Sequence, residues 1–255
     1  MSKRFHPGRA AQSGVMAAFL ARSGFRGPTQ ILEAPDGGFC RATSDRVDLS
    51  LITDRLGDRF HCGEVNIKPY ACCASSHSAV DAVLELKRRH GFTAAEVERV
   101  QVKTAGSVVG QCGFAYPAAA GIVQAQMSLQ YIVAVTLLED AALLAQFSEK
   151  KIADPGVLDL ARRVEVALDP DIDRVYPERY ANRVEIVLRD GRRFETRVDY
   201  AKGSTGRPLS LSEVAGKFRS LAAGVLSPAQ ADQIVATVGD LEQIDDIHDL
   251  TRLLA

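Results

Sequence analysis

Val184-Glu185-Ile186-Val187-Leu188-Arg189-Asp190-Gly191-Arg192-Arg193-Phe194-Glu195-Thr196-Arg197-Val198 is the stretch that decides the fold. Val184, Ile186 and Leu188 alternate along the chain, and Phe194, Thr196 and Val198 alternate back. A period of two marks strands with one face on a core. Asp190-Gly191 between them is a tight-turn pair, so the stretch reads as a β-hairpin. It places a sheet inside a chain whose other signals are mostly helical.

Working outward, Val164, Val166 and Leu168 alternate as a third strand, and Val97, Val100 and Val102 suggest a fourth. Between them a Gly/Ala-rich loop, Gly106 to Gly121, leads to a helix beginning near Ser128 and running through Tyr131, Val135 and Leu138. Lys151-Ile152 and Pro155 break it, and Leu158 to Arg162 is helical. A long helix follows His77. Ser78 and Asp81 have capping-box spacing there, Val80, Val83, Leu84 and Leu86 form its buried face, and His90-Gly91 ends it. The basic run Lys87-Arg88-Arg89 at that end reads as solvated, and His90 as a cation at the helix C-terminus.

The first helix opens at His6-Pro7, with proline at its first position. Val15, Phe19 and Leu20 give its apolar stripe and Gly24 its end. Ala10, Ala11, Ser13, Gly14, Ala17 and Ala18 imply close helix packing. Gly27-Pro28-Thr29 starts a short helix over Gln30 to Ala34, and Pro35-Asp36-Gly37-Gly38 is a loop. After Val198, Ser212 caps a helix carrying Val214, Phe218 and Leu221. Ser227-Pro228 opens the next, and a last one begins near Ile247. The expected class is α+β: an all-helical domain interrupted by a smaller α/β domain. Residues 1–64 form a helical-domain segment, 65–200 the α/β domain, and 201–255 the helices that return to the helical domain.

The chain has 255 residues, 46% hydrophobic and 25% charged, with a formal net charge of -1. No basic field points to nucleic acid. Apolar runs such as Ile132 to Leu138 are too short to span a bilayer. Phe5-His6-Pro7-Gly8-Arg9 stands where a signal peptide would be apolar. The five cysteines, Cys40, Cys62, Cys72, Cys73 and Cys112, fit neither a zinc pattern nor a disulfide framework. They read as buried thiols in a reducing cytoplasm.

Chemistry concentrates in Lys68-Pro69-Tyr70-Ala71-Cys72-Cys73-Ala74-Ser75-Ser76-His77, ahead of the long helix. Cationic and proton-transferring groups there face a helix N-terminus, where anions bind well. Lys3-Arg4-Phe5-His6-Pro7 echoes it before the first helix. The recurrence suggests a site for a carboxylate-rich substrate. Lys202-Gly203-Ser204-Thr205-Gly206 is glycine-rich but lacks the order of a phosphate loop.

Together these segments resemble the MmgE/PrpD family, which includes 2-methylcitrate dehydratases, cis-aconitate decarboxylases and an iminodisuccinate epimerase. The resemblance rests on Lys3 to Gly14, Gly24 to Pro28, Lys68 to Asp81, Gln126 to Tyr131, and Tyr200 through Pro208 to Lys217-Phe218. Family members are longer, and their helical N-terminal half carries an aspartate and further histidines of the active site. The resemblance therefore implies a C-terminal half. It implies a PrpD-like fold, dimers, and metal-independent lyase chemistry with no cofactor. The expected activity is that of a 2-methylcitrate dehydratase-like hydro-lyase of propionate metabolism, acting on a small polycarboxylate. The implied catalytic residues are Lys68, His77 and Tyr131, with Lys3, His6 and Tyr70 binding substrate. The implied partners are a second copy or an N-terminal-half chain. The alternative is a non-catalytic remnant or a structural subunit.

Overall fold

The computed structural model describes residues 2–117 and 120–254, with side chains from residue 5 onward. The chain divides into two compact units, residues 1–61 and 62–255.

The first unit holds α1 (Ser2–Arg22), α2 (Phe39–Thr43) and a single 3-10 turn at Leu49–Ile52. The helix α1 starts upstream of the expected His6-Pro7 boundary, so Pro7 lies inside it. One backbone hydrogen bond is lost there, where proline has no N–H to give. Gly24 follows the helix at φ +88°. The helix expected over Gln30 to Ala34 is a series of turns; Pro35 pushes the residue before it out of the helical region. The apolar side chains of this unit, Phe5, Val15, Met16, Phe19, Leu20 and Phe25 among them, are exposed.

The second unit carries the sheet. Its helices are α3 (His77–His90), α4 (Gly106–Cys112), α5 (Ile122–Met127), α6 (Leu129–Glu139), α7 (Glu149–Ile152), α8 (Pro155–Ala161), α9 (Pro170–Asp173), α10 (Leu211–Ala222), α11 (Pro228–Gly239) and α12 (His248–Thr251). Strands β1 (Val97–Thr104), β2 (Val164–Leu168), β3 (Asn182–Leu188) and β4 (Arg193–Val198) stand in the order β2-β1-β3-β4. β1 runs parallel to β2 and antiparallel to β3. The hairpin pairs Ile186 with Phe194 and Val184 with Thr196, and Gly191 turns it at φ +88°.

The uneven spacing of Val97, Val100 and Val102 has a physical cause. A register shift between Val97 and Arg99 adds a residue to β1. A bulge of this kind returns both Val97 and Val100 to the same side, and both are buried. Helices α3 and α6 pack on the sheet, and α8 packs on α6. α6 is enclosed all round, from Leu129 to Leu137. Ser128 caps it by accepting from the Tyr131 N–H at 3.3 Å.

Four local expectations are corrected. The Gly106–Gly121 loop contains α4, because burial of Val108 and Cys112 outweighs the low helix propensity of its glycines. Ser210, not Ser212, caps α10 with Glu213. Ser78 and Asp81 form no capping box: Ser78 Oγ donates to the Tyr180 carbonyl at 2.6 Å, and Asp81 reaches the opposite loops. Lys87 is not solvated; its Nζ donates to the Leu137 carbonyl at 2.6 Å and pairs with Asp140, tying α3 to the end of α6. His90 at the same end stacks on Phe194, ring centroids 3.9 Å apart.

Candidate functional site

A cleft of about 870 Å³ opens within the second unit. One wall is Lys68 to Ala71 and another is Leu143 to Gln146; Lys202 and the α10 residues Glu213 and Lys217 complete it. Three lysines thus share one concave surface with apolar walls. Lys202 pairs with Glu213, and the ammonium and the Ser210 backbone hold that carboxyl down at about 2. Lys68 Nζ donates to the Cys72 carbonyl at 3.3 Å.

The 68–77 loop is fixed from several sides. Ala71 N–H donates to the Ala142 carbonyl at 2.9 Å, and Cys73 N–H to the Gln126 carbonyl at 2.8 Å. Gln126 returns a bond from Nε2 to the Ala71 carbonyl at 2.8 Å. Tyr70 packs edge-on against His77 with centroids 5.2 Å apart and donates its hydroxyl to Asp81 Oδ1 at 2.5 Å. Burial, then the Asp81 charge, push the Tyr70 hydroxyl well above its usual range, so it stays protonated.

His77 opens α3 and is 3% exposed. Its Nε2 lies 3.3 Å from the Cys72 carbonyl, which fits a proton on that nitrogen. Burial first, and then the fields of Lys68 and Lys217, lower its pKa to about 4. It is therefore neutral at pH 7, one layer behind the cleft wall. The Cys73 thiol, hydrogen-bonded to Cys112, is held below the ordinary thiol range, while burial pushes Cys72 up.

The structure brings Lys68, Tyr70 and His77 together around the Cys72 carbonyl. Tyr131 is elsewhere: it is fully buried, packed on Tyr116 and Phe147, and its hydroxyl donates to the Gln146 carbonyl at 2.5 Å. It supports the cleft wall from the core. His6 is an exposed residue of α1 in the first unit. Lys3 lies on the same helix, with its side chain outside the described residues. Sequence reasoning missed Lys202 and Lys217 as cleft residues, and Asp81 as the partner of the Lys202 backbone N–H. The signal was present, since Lys202 and Lys217 fall inside a segment that carries the family resemblance. Among the described residues no group of three or more His, Cys, Asp or Glu is gathered as metal ligands.

An α+β unit with a lysine-lined, apolar-walled cleft is the class of protein these features define. The chain belongs to the MmgE/PrpD family: its profile for the MmgE/PrpD C-terminal domain matches residues 70–243, and that for the MmgE/PrpD N-terminal domain matches residues 1–52. The chain thus extends beyond the C-terminal domain alone. It is 30% identical over 269 residues to a cis-aconitate decarboxylase of Aspergillus terreus (strain NIH 2624 / FGSC A1156), covering 100% of this chain and 54% of that protein. The cis-aconitate decarboxylases of Homo sapiens and Mus musculus are 29% and 27% identical, over 99% of this chain and 53% and 52% of theirs. The chain spans about half the length of the curated relatives it matches.

Proposed function

We propose that this chain serves a lyase acting on a small polycarboxylate, with decarboxylation of a cis-aconitate-like tricarboxylate as its reaction. The observation that carries the reading is the convergence of Lys68, Lys202 and Lys217 on one cleft. Several ammonium groups with apolar walls suit a ligand bearing several carboxylates. Such charges act far more strongly in a water-poor cleft than in bulk water. The names of the relatives supply the reaction class.

In decarboxylation the C–C bond to one carboxylate breaks and carbon dioxide leaves. The electron pair moves into the neighbouring unsaturated acid, and a proton is then delivered to carbon. Lys68 and its partner lysines hold the remaining carboxylates and stabilise the charge that builds on them. His77, one layer behind, is the group through which a proton passes, and Tyr131 holds the wall through its bond to the Gln146 carbonyl. Dehydration of 2-methylcitrate places the same charge on the same kind of carboxylate, so the hydro-lyase reading shares this cleft. A second copy, or a chain equivalent to the remaining half of the relatives, is the proposed partner.

The test is titration calorimetry of the full chain with cis-aconitate and 2-methylcitrate, followed by turnover assays of carbon dioxide release and of dehydration. Binding of cis-aconitate that falls at least ten-fold in Lys68→Ala supports the reading. A chain that binds neither acid overturns it.

A further inference from the structure

Asp81 is a buried carboxylate that no part of the reaction above uses. It sits on α3 four residues after His77, on the same face of the helix. Its two oxygens are divided between the two lysine-bearing loops. Oδ1 accepts the Tyr70 hydroxyl at 2.5 Å, in the loop that carries Lys68. Oδ2 accepts the backbone N–H of Lys202 at 2.6 Å and faces Arg207 Nη1 at 3.4 Å. The two loops are also joined directly, through Ile67 N–H to the Gly203 carbonyl at 2.8 Å and Thr205 N–H to Asn66 Oδ1 at 3.0 Å. Asp81 connects this pair of loops to the core helix by charge.

The geometry points to a positioning role for Asp81: its carboxylate clamps the Lys68 and Lys202 loops to α3 and so sets the arrangement of ammonium groups that receives a polycarboxylate. This rests on the functional reading above. Three features argue for it. A carboxylate buried this deeply is costly unless its oxygens are satisfied, and here the donors come from both loops and none from α3 itself. The two shortest contacts bear directly on the cleft lysines: Tyr70 is two residues from Lys68, and the other donor is the Lys202 amide itself. The third is charge: an asparagine could turn its oxygen to the Lys202 N–H and its NH₂ to the Tyr70 hydroxyl oxygen, but it loses the charge that strengthens all three contacts, and a leucine of similar size makes none of them.

The experiment uses the full chain and two readouts. Hydrogen–deuterium exchange is followed in peptides covering 66–73, 200–208 and α3, and citrate affinity is measured by calorimetry. In Asp81→Leu, which makes none of the three contacts, both loops exchange faster while α3 keeps its protection, and the citrate Kd rises at least ten-fold. Tyr70→Phe frees the 66–73 loop alone and weakens citrate less; combined with Asp81→Leu it adds little. Should Asp81→Leu fail to fold, Tyr70→Phe and Arg207→Met carry the test, each removing one donor. Wild-type exchange in both loops, or loosening of α3 together with them, overturns the clamp. A wild-type chain that binds none of citrate, cis-aconitate and 2-methylcitrate overturns the functional reading instead, and the exchange pattern still decides the clamp.

Discussion

At the scale of the residue, buried groups around the 68–77 loop convert environment into pH dependence. His77 titrates at about 4 in the fold, against an ordinary 6.5, because burial disfavours its charged form. A lowered folded pKa means that the unfolded chain binds the proton first. The stability this contributes is complete above pH 6.5 and is lost as pH falls toward 4. The shift corresponds to about 3 kcal/mol. Urea unfolding midpoints measured from pH 8 to pH 4 will fall over that window, and His77→Gln will flatten the fall. A slope that survives the substitution unchanged assigns it to other groups. Glu213 makes a different prediction. It occupies Lys202 inside the cleft, so an incoming carboxylate has to compete with it. Glu213→Gln keeps a side-chain acceptor for the Ser210 cap and removes the charge. Citrate will bind about two- to five-fold more tightly, the size of effect an exposed ion pair has. Weaker binding shows instead that Glu213 holds Lys202 in its receptive position.

At the scale of the element, the turn at Gly203 joins the two walls of the cleft. Gly203 stands at φ +81°, and an added Cβ meets the Ile67 carbonyl oxygen at 2.0 Å and Pro69 Cδ at 2.9 Å. Both contacts are with backbone or a ring that cannot swing aside. Gly203→Ala therefore forces the Ile67–Pro69 segment away, at a cost of about 2–4 kcal/mol. Denaturant midpoints and citrate calorimetry will both register it; an unchanged midpoint shows that the turn relaxes freely. This element also shows where sequence reading stops. The hairpin, β1, β2, α3 and α6 were legible because period-two and helical patterns are local, and Gly191 and Gly91 mark ends by their own conformation. Lys68, Tyr70 and His77 were legible because they share one segment. Lys202 and Lys217 were not, because what makes them cleft residues is long-range contact, and the role of Asp81 behind the cleft rests on the same kind of contact. Asp81 in particular has the spacing of a local cap, and only the fold shows its oxygens bonded to Tyr70 and Lys202. α4 was hidden for a similar reason, its glycines masking a helix that tertiary burial stabilises.

At the scale of the whole molecule, the two units differ in how they treat apolar surface. The second buries a contiguous core that includes Val80, Leu86, Val100, Leu129, Ile132 and Ile186. In the first, α1 turns Val15, Met16, Phe19 and Leu20 to a shared apolar groove, with Ala11 and Ser23 at its margins, and all four apolar side chains are at least 44% exposed. Contiguous exposed apolar surface of this kind drives association. The full chain will therefore sediment as an oligomer at micromolar concentration, with a weight-average mass that rises with concentration. Phe19→Lys together with Val15→Lys places two charges on the groove, and the pair will shift the chain toward the monomer. The cleft lysines belong to the other unit, so citrate affinity should be unaltered in that variant. The two halves of the result separate cleanly. A monomeric wild type refutes association through α1. An oligomer that persists in the variant moves the interface to another face, and a loss of citrate binding in the dissociated variant shows that assembly and the cleft are coupled.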